Sequence, residues 1–370
     1  MNNGSLMNEA KRIVNGRMDL DYFSRFAGTI IFRQDTEKIS RSTIEEIQQQ
    51  LLSFGIYSQL QSTQKEYLLR VIAEFPKVKK ENPKINLLLF LLTIITTTMT
   101  GAINIWNDPF ESWSNLFSGF PYAFGIIAIL GAHEMGHYYY ALRHKVYATL
   151  PYFLPIYWPA FGFGTLGAFI KMKSPIPNRK ALFEVGIAGP IAGFIVSLIF
   201  LFVGFTMLPD EAGVRAYVET MHQWSETGEN SFTLGGSILF NIIKSIMDAD
   251  HLPMWEIYHF PFIFAGWIGL FVTALNLMPI GQLDGGHISY ALFGKNAKFI
   301  AILAFIALAL LNFYSTNWLL WTLLIFFLIK LKHPPTMDDS VQLNENQKIL
   351  GWASYIIFIT CFSPSPFYIS

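Results

Sequence analysis

Apolar residues in this chain gather into runs about as long as a bilayer is thick, and such runs leave a backbone few choices. Only helices of about 20 residues, or a closed barrel, cross hydrocarbon with every amide paired. The runs lie near 85–105, 119–142, 181–208, 260–280, 297–312, 317–331 and 347–361. Several are short, so six to seven transmembrane helices are expected. Across 370 residues 52% are hydrophobic and 14% charged, where soluble domains carry roughly 25% charged residues. The chain reads as an α-helical polytopic membrane protein whose first partner is the lipid bilayer. Its formal net charge of zero gives no reason to expect nucleic acid. The single cysteine, Cys361, excludes an intrachain disulfide and is read as packing.

Charge collects between the runs. Basic clusters precede the first run, follow the second (Arg143, Lys145), precede the third (Lys171, Lys173, Arg179, Lys180) and recur at Lys295, Lys298, Lys330 and Lys332. The connections 107–118 and 209–258 carry mostly acids, among them Asp108, Glu111, Asp210 and Glu211. The positive-inside rule therefore puts the N-terminal region and the basic loops in the cytosol. Residues 1–80 read as a small soluble α/β domain: GTIIFRQ a strand, SRSTIEEIQQQLLSFG a helix, then YSQLQSTQ and KEYLLRVIAEF a strand pair. Thr43 and Glu46 have capping-box spacing, and Gly55 follows as a stop. Residues 81–370 form the transmembrane domain, with a core of about 119–295. The polar first residues lack the apolar stretch of a secretory signal, so insertion is expected to use internal spans. Segment 147–170 is apolar too, but its prolines and glycines break a straight helix. Lying between two cytosolic anchors, it is expected to enter and return as a re-entrant, β-like hairpin beside a cavity.

Inside the second run stands GAHEMGHYYYAL, residues 131–142. His133 and His137, spaced i and i+4, share a helix face and can grip one cation. Glu134 beside them completes H-E-x-x-H, two zinc ligands plus a carboxylate that takes a proton from water. A solvated charged face is not open to these residues in hydrocarbon; the competing reading is a buried His–Glu hydrogen-bonded pair. A third ligand is offered by Asp284 in NLMPIGQLDGGH, residues 276–287. His133 precedes Arg143 by about ten residues and Asp284 precedes Lys295 by about eleven, so on parallel helices the two reach similar depth. One Zn2+ per chain is expected. His287 competes with Asp284 as a ligand or supports it from behind. Asn276 either polarises a substrate carbonyl or makes an interhelical hydrogen bond. His144, His222, His251, His259 and His333 sit in loops or at span edges and are assigned no metal. The alternation Phe161, Gly162, Phe163, Gly164 suits either a flat strand edge that adds an unwound substrate segment by β-pairing or a packed loop. GFGTLG within it lacks the strand-to-helix setting of a dinucleotide fingerprint. GPIAG at 189–193 has the spacing that brings helices close.

Together HEMGH, PIGQLDGG and AGPIAG resemble the site-2 protease family of intramembrane zinc metalloproteases, over roughly residues 85–335. TLGAFIKMKSPIPNRKALFEVGIAGPIAG is most similar to the branch with cyanobacterial and chloroplast members. The resemblance implies hydrolysis of peptide bonds in a substrate's transmembrane helix, with His133, His137 and Asp284 as ligands and Glu134 as general base. It implies Asn276 and the strand at 161–170 as substrate contacts, and single-span, previously trimmed proteins as substrates. The site is expected to open to the cytosol. A metal-binding transporter or an inactive membrane scaffold is the rival outside enzymes. A membrane di-iron hydroxylase needs about eight clustered histidines and is disfavoured.

Overall fold

The computed structural model describes residues 3–24, 29–62, 65–72, 82–157, 162–222, 232–329, 331 and 333–369. The first part of the chain packs two helices on an antiparallel sheet. Helix α1 (Asn3–Val14), strands β1 (Asp19–Ser24) and β2 (Thr29–Asp35), helix α2 (Arg41–Ser53), and strands β3 (Tyr57–Ser62) and β4 (Glu66–Ile72) follow in order, with sheet order β1-β2-β4-β3. Alternation explains the sheet's buried face: Ile30 and Phe32, Leu69 and Val71, and Leu60 meet Ala10 and Val14 of α1 and Ile44, Ile47 and Leu51 of α2. Sequence reading finds α2, β2, β3 and β4 but not α1 or β1. It also places the helix cap three residues late: Ser40, not Thr43, caps α2, its side chain accepting the Thr43 amide.

This unit is stapled to a distant part of the chain. The Leu60 amide donates to the Met337 carbonyl at 2.5 Å, Gln59 donates to the Thr336 carbonyl at 3.0 Å, and Arg41 meets the Asp338 carboxylate at 2.5 Å. Asp338 in turn donates its amide to the Pro177 carbonyl at 2.9 Å, just before α6 begins.

The rest is mostly helical. Helix α3 (Pro83–Asn104) starts with Asn82 capping the Lys84 amide and proline in its first turn. Short α4 (Trp113–Ser118) leads into α5 (Phe120–Arg143), followed by a two-stranded antiparallel hairpin, β5 (Tyr152–Pro155) with β6 (Thr165–Phe169). Then come α6 (Arg179–Thr206), α7 (Glu211–Glu219), β7 (Phe232–Leu234), α8 (Ile238–Ile246) and α9 (Pro261–Leu277). Helices α10 (Asp284–Phe293), α11 (Ala297–Leu311), α12 (Trp318–Leu324) and α13 (Glu345–Cys361) follow, and β8 (Phe367–Ile369) pairs with β7. The buried centre lies where α5, α6 and α9 meet, with Tyr122, Ile126, Ile129, Leu201, Ile263, Phe264, Trp267 and Leu270 among its members. Cys361 is buried there too.

Among the described residues, three helices are long and apolar enough to cross a membrane: Pro83–Asn104, Arg179–Thr206 and the continuous stretch Asp284–Leu311. Pro261–Leu277 and Trp318–Phe327 are apolar but shorter. Helix α5 is not in that set, because HEMGHYYY dilutes the apolarity of its first half.

Segment 147–170 turns back on itself, and α3 and α5 hold its backbone. Asn86 donates to the Leu150 and Pro151 carbonyls at 2.9 and 3.0 Å, Thr96 to the Gly164 carbonyl at 2.7 Å, and the Tyr122 hydroxyl to the Gly162 and Phe163 carbonyls at 3.1 Å. Irregular backbone among apolar helices needs such partners, since an unmet carbonyl costs about 1–3 kcal/mol. The same contacts correct one expectation. Gly162, Phe163 and Gly164 form a turn and not an extended edge, and the strand begins only at Thr165. Phe161 lies outside the described residues.

Candidate metal centre

Helix α5 presents His133, Glu134 and His137, each 5% exposed, to the side facing α6 and α9. Three donor atoms converge: His133 Nε2 and His137 Nε2 are 3.0 Å apart, and Asp284 Oδ2 lies 3.3 Å from the first and 3.2 Å from the second. Asp284 arrives from the first turn of α10, reached through the tight reversal Met278–Leu283 that follows α9. That reversal depends on small residues, for a side chain at Gly285 would strike the Leu277 carbonyl.

Helix α6 makes the room. A Cβ at Gly189 would run into the His137 ring, and one at Gly193 would lie 3.2 Å from His133 Cβ and Nδ1. The GPIAG pair, one turn apart, is thus a notch that seats both imidazoles. Pro190 within the same turn leaves the Gly186 carbonyl without its helical donor. The neighbouring Val185 carbonyl lies 2.7 Å from His137 Nδ1 and accepts its proton. With the proton on Nδ1, His137 Nε2 carries a lone pair toward Asp284.

Neutral imidazoles cannot supply a proton to every edge of this triangle, so lone pairs face one another unless a cation lies between them. Zinc at about 2.0–2.1 Å from each ligand in a tetrahedron would hold its donors about 3.3 Å apart. The observed edges of 3.0, 3.2 and 3.3 Å match that figure. His2Asp with a fourth direction open is a donor set that fits a zinc-sized divalent ion.

Asn276, on the last turn of α9, brings its side-chain nitrogen to 3.3 Å from His133 Nε2. His287 does not join the triangle; its Nδ1 lies 2.6 Å from Nε2 of His333, and the ring stands against that imidazole. The Ile170 amide, one residue past β6, faces the Glu134 carboxylate. Gly162, Phe163 and Gly164 sit at the far end of the hairpin, their carbonyls occupied as described.

A second convergence was missed by sequence reading. His222 Nε2 lies 3.0 Å from His259 Nε2, and Glu256 Oε2 lies 3.2 Å from each. These are two of the five histidines assigned no metal. Glu256 and His259 are spaced i and i+3, but His222 stands 34 residues earlier on a different element, and nothing local pairs it with them.

Comparison with known proteins agrees with the geometry. The model of "Peptidase family M50" matches residues 121–314, which include both H-E-x-x-H and Asp284. A rice (Oryza sativa subsp. japonica) protein named "Probable zinc metalloprotease EGY1, chloroplastic" is 32% identical over 238 residues, 58% of this chain and 38% of its own length. Its Arabidopsis thaliana namesake is 29% identical over 248 residues, 66% of this chain and 42% of its own. The Arabidopsis "Probable zinc metallopeptidase EGY3, chloroplastic" is 28% identical over 252 residues, 65% of this chain and 42% of its own. The chain thus spans about two-fifths of the length of these relatives. No solved structure gives a match. Since the family match takes in more than half of the chain and the whole inner triangle, this protein belongs to peptidase family M50.

Proposed function

We propose that the protein is an intramembrane zinc metalloprotease that hydrolyses peptide bonds within or near transmembrane helices of other membrane proteins. The observation that carries this reading is the closed triangle of His133, His137 and Asp284 with Glu134 beside it. It is supported by the relatives named as zinc metalloproteases and by family membership. His133, His137 and Asp284 hold the ion. Zinc bound there supplies Lewis acidity, lowering the pKa of a water and polarising a carbonyl. Glu134 takes the proton from the attacking water and returns it to the leaving amine. The Asn276 carboxamide, at the edge of the triangle, hydrogen-bonds the carbonyl oxygen as charge builds there.

A helical substrate hides its carbonyls and must unwind first. Strand β6 is suited to receive it: the Ile170 amide at its end faces Glu134, and a side chain built at Gly167 would meet nothing within 4 Å, although the Gly167 amide itself is held by the Thr165 hydroxyl at 3.0 Å. The unwound segment adds to β6 at 165–169, in place of the 161–164 edge expected from sequence. In this reading six to seven helices cross the bilayer, the 147–170 hairpin is re-entrant, and residues 1–80 form a cytosolic domain. The site opens to the cytosol, and the substrates are single-span proteins already trimmed by another protease. The staple of β3 to 336–338 and 177 is consistent with that sidedness, because it joins the domain to the basic loop before α6.

The test is Glu134→Gln in the full chain, reconstituted with a single-span reporter. Cleavage is expected to fall by roughly 10²–10⁴-fold while zinc at this site is retained. Cleavage at the wild-type rate removes Glu134 from its role. Zinc-dependent ion flux across vesicles without any cleavage would favour the transporter.

A further inference from the structure

We propose that His222, Glu256 and His259 form a second site for a divalent transition metal of the zinc class, separate from the centre described above. It lies at the opposite end of α9 from Asn276. His259 precedes Asn276 by 17 residues, so the two sites are roughly 25 Å apart along that helix.

Two of the three donors are buried and His222 is partly so, and the contacts of the carboxylate are not those of hydrogen bonds. Glu256 is 1% and His259 0% exposed. Glu256 Oε2 lies 3.2 Å from both imidazole nitrogens, yet has no hydrogen-bond partner. The orientation of His259 is fixed from behind. Its Nδ1 lies 2.6 Å from the Asn104 carbonyl at the end of α3 and donates to it, so its Nε2 points a lone pair inward. Only the His222 ring then has a proton to offer, which leaves a carboxylate oxygen and an imidazole lone pair in contact without a cation. A divalent ion at the centre satisfies all three donors at once. The edges of 3.0, 3.2 and 3.2 Å again fall near the tetrahedral value of about 3.3 Å. His2Glu is a nitrogen and oxygen set that selects a zinc-class ion over calcium or magnesium, which prefer oxygen alone.

The surroundings point to a clasp and not to a reaction centre. The residues packed on these donors are aromatic. Trp106 packs on His222, with ring centroids 5.5 Å apart, and Tyr258 on His259 at 4.1 Å. Trp106 and Tyr258, with Asn104, also line a neighbouring cavity of about 720 Å3. His222 follows α7, Glu256 and His259 precede α9, and Asn104 ends α3. One ion would therefore tie three helix ends together.

The experiment is metal analysis of the purified full-length chain after stripping with a chelator and titration with zinc alone. Two equivalents per chain are expected for the wild type. H133A/D284A should keep one, and H133A/D284A with H222A/H259A added should keep none. Zinc should also raise the unfolding midpoint of H133A/D284A but not that of the quadruple variant. As a check independent of the quadruple variant's folding, the zinc X-ray absorption edge of H133A/D284A should report two imidazoles and oxygen. A single equivalent in the wild type together with none in H133A/D284A overturns the second site, as does any other ligand shell. One equivalent in the wild type that persists in H133A/D284A and is lost when H222A/H259A is added would show that the outer triangle holds an ion and the inner one does not, so failure of that reading is seen separately.

Discussion

Two triangles of two imidazoles and one carboxylate stand at opposite ends of α9, with edges that differ by 0.1 Å at most. In both, one histidine gives its Nδ1 proton to a main-chain carbonyl, Val185 for one and Asn104 for the other. Their settings diverge. The inner triangle sits on long helices, beside a buried carboxylate, a carboxamide and the end of a strand with open space along it. The outer one sits on a single 3-10 turn, Ile257–His259 with Glu256 before it, and on His222 beyond α7, with aromatic rings packed on both histidines. Holding a cation therefore requires only converging lone pairs. Hydrolysis requires in addition a group to take a proton and a place to lay the substrate, and among the described residues the inner region offers Glu134 for the one and β6 for the other.

The comparison can be broken most severely at a ligand. Asp284→Ala removes the only carboxylate of the inner triangle; cleavage should fall below detection and one zinc equivalent should be lost, with the outer site intact. Loss of both equivalents in metal analysis would mean that the two sites do not fold independently. Next in size, Asn276→Ala should lower kcat by about 10²–10³-fold, the usual effect of removing one oxyanion donor, with zinc content unchanged. A loss confined to KM would reassign Asn276 to ground-state binding. Gly189→Ala fills the notch beside His137 and should destabilise by about 1–3 kcal/mol. Inner-site zinc should weaken with it, as measured by competition with a chelator, while outer-site zinc should hold. The smallest effect is expected from Trp106→Ala. Losing an aromatic contact worth about 0.5–1.5 kcal/mol should weaken outer-site zinc by roughly tenfold and leave cleavage by the inner site at its wild-type rate.

What could be read in advance divides along the same line. His133, Glu134 and His137 are legible because a helix converts a spacing of four into a shared face, and the apolar setting removes the alternative of a solvated surface. Asp284 is legible by depth, since charged residues mark where each helix meets water. Nothing comparable reveals the outer triangle: Glu256 and His259 share only one 3-10 turn, and His222 comes from a separate element 34 residues before Glu256. The hairpin shows a different failure. Alternating phenylalanine and glycine at 161–164 has strand periodicity, but the Tyr122 hydroxyl claims the carbonyls of Gly162 and Phe163 and Thr96 of α3 that of Gly164, so long-range partners decided against the local pattern there. Helix α1 was there to be found, for Met7, Ala10 and Val14, its buried positions, have helical spacing. Its polar composition masked them. Ser40 took the cap of α2 from Thr43 because its own backbone is extended, as a cap residue must be.

The polar face of α3 has a consequence for how the chain assembles. Asn86, Thr93 and Thr97 are buried along an otherwise apolar helix, and the hairpin that covers this face is made some fifty residues later in the chain. Thr93, Thr97 and Thr98 each return the hydroxyl to a carbonyl one turn back, those of Leu89, Thr93 and Ile94, at 2.6 to 2.8 Å. Thr96, which ends up on Gly164, has Leu92 in reach at 3.1 Å. Asn86 lies in the first turn of the helix. During biosynthesis the helix can therefore form with the hydroxyls of Thr93, Thr96, Thr97 and Thr98 already served by its own carbonyls, and the later hairpin finds a template in place.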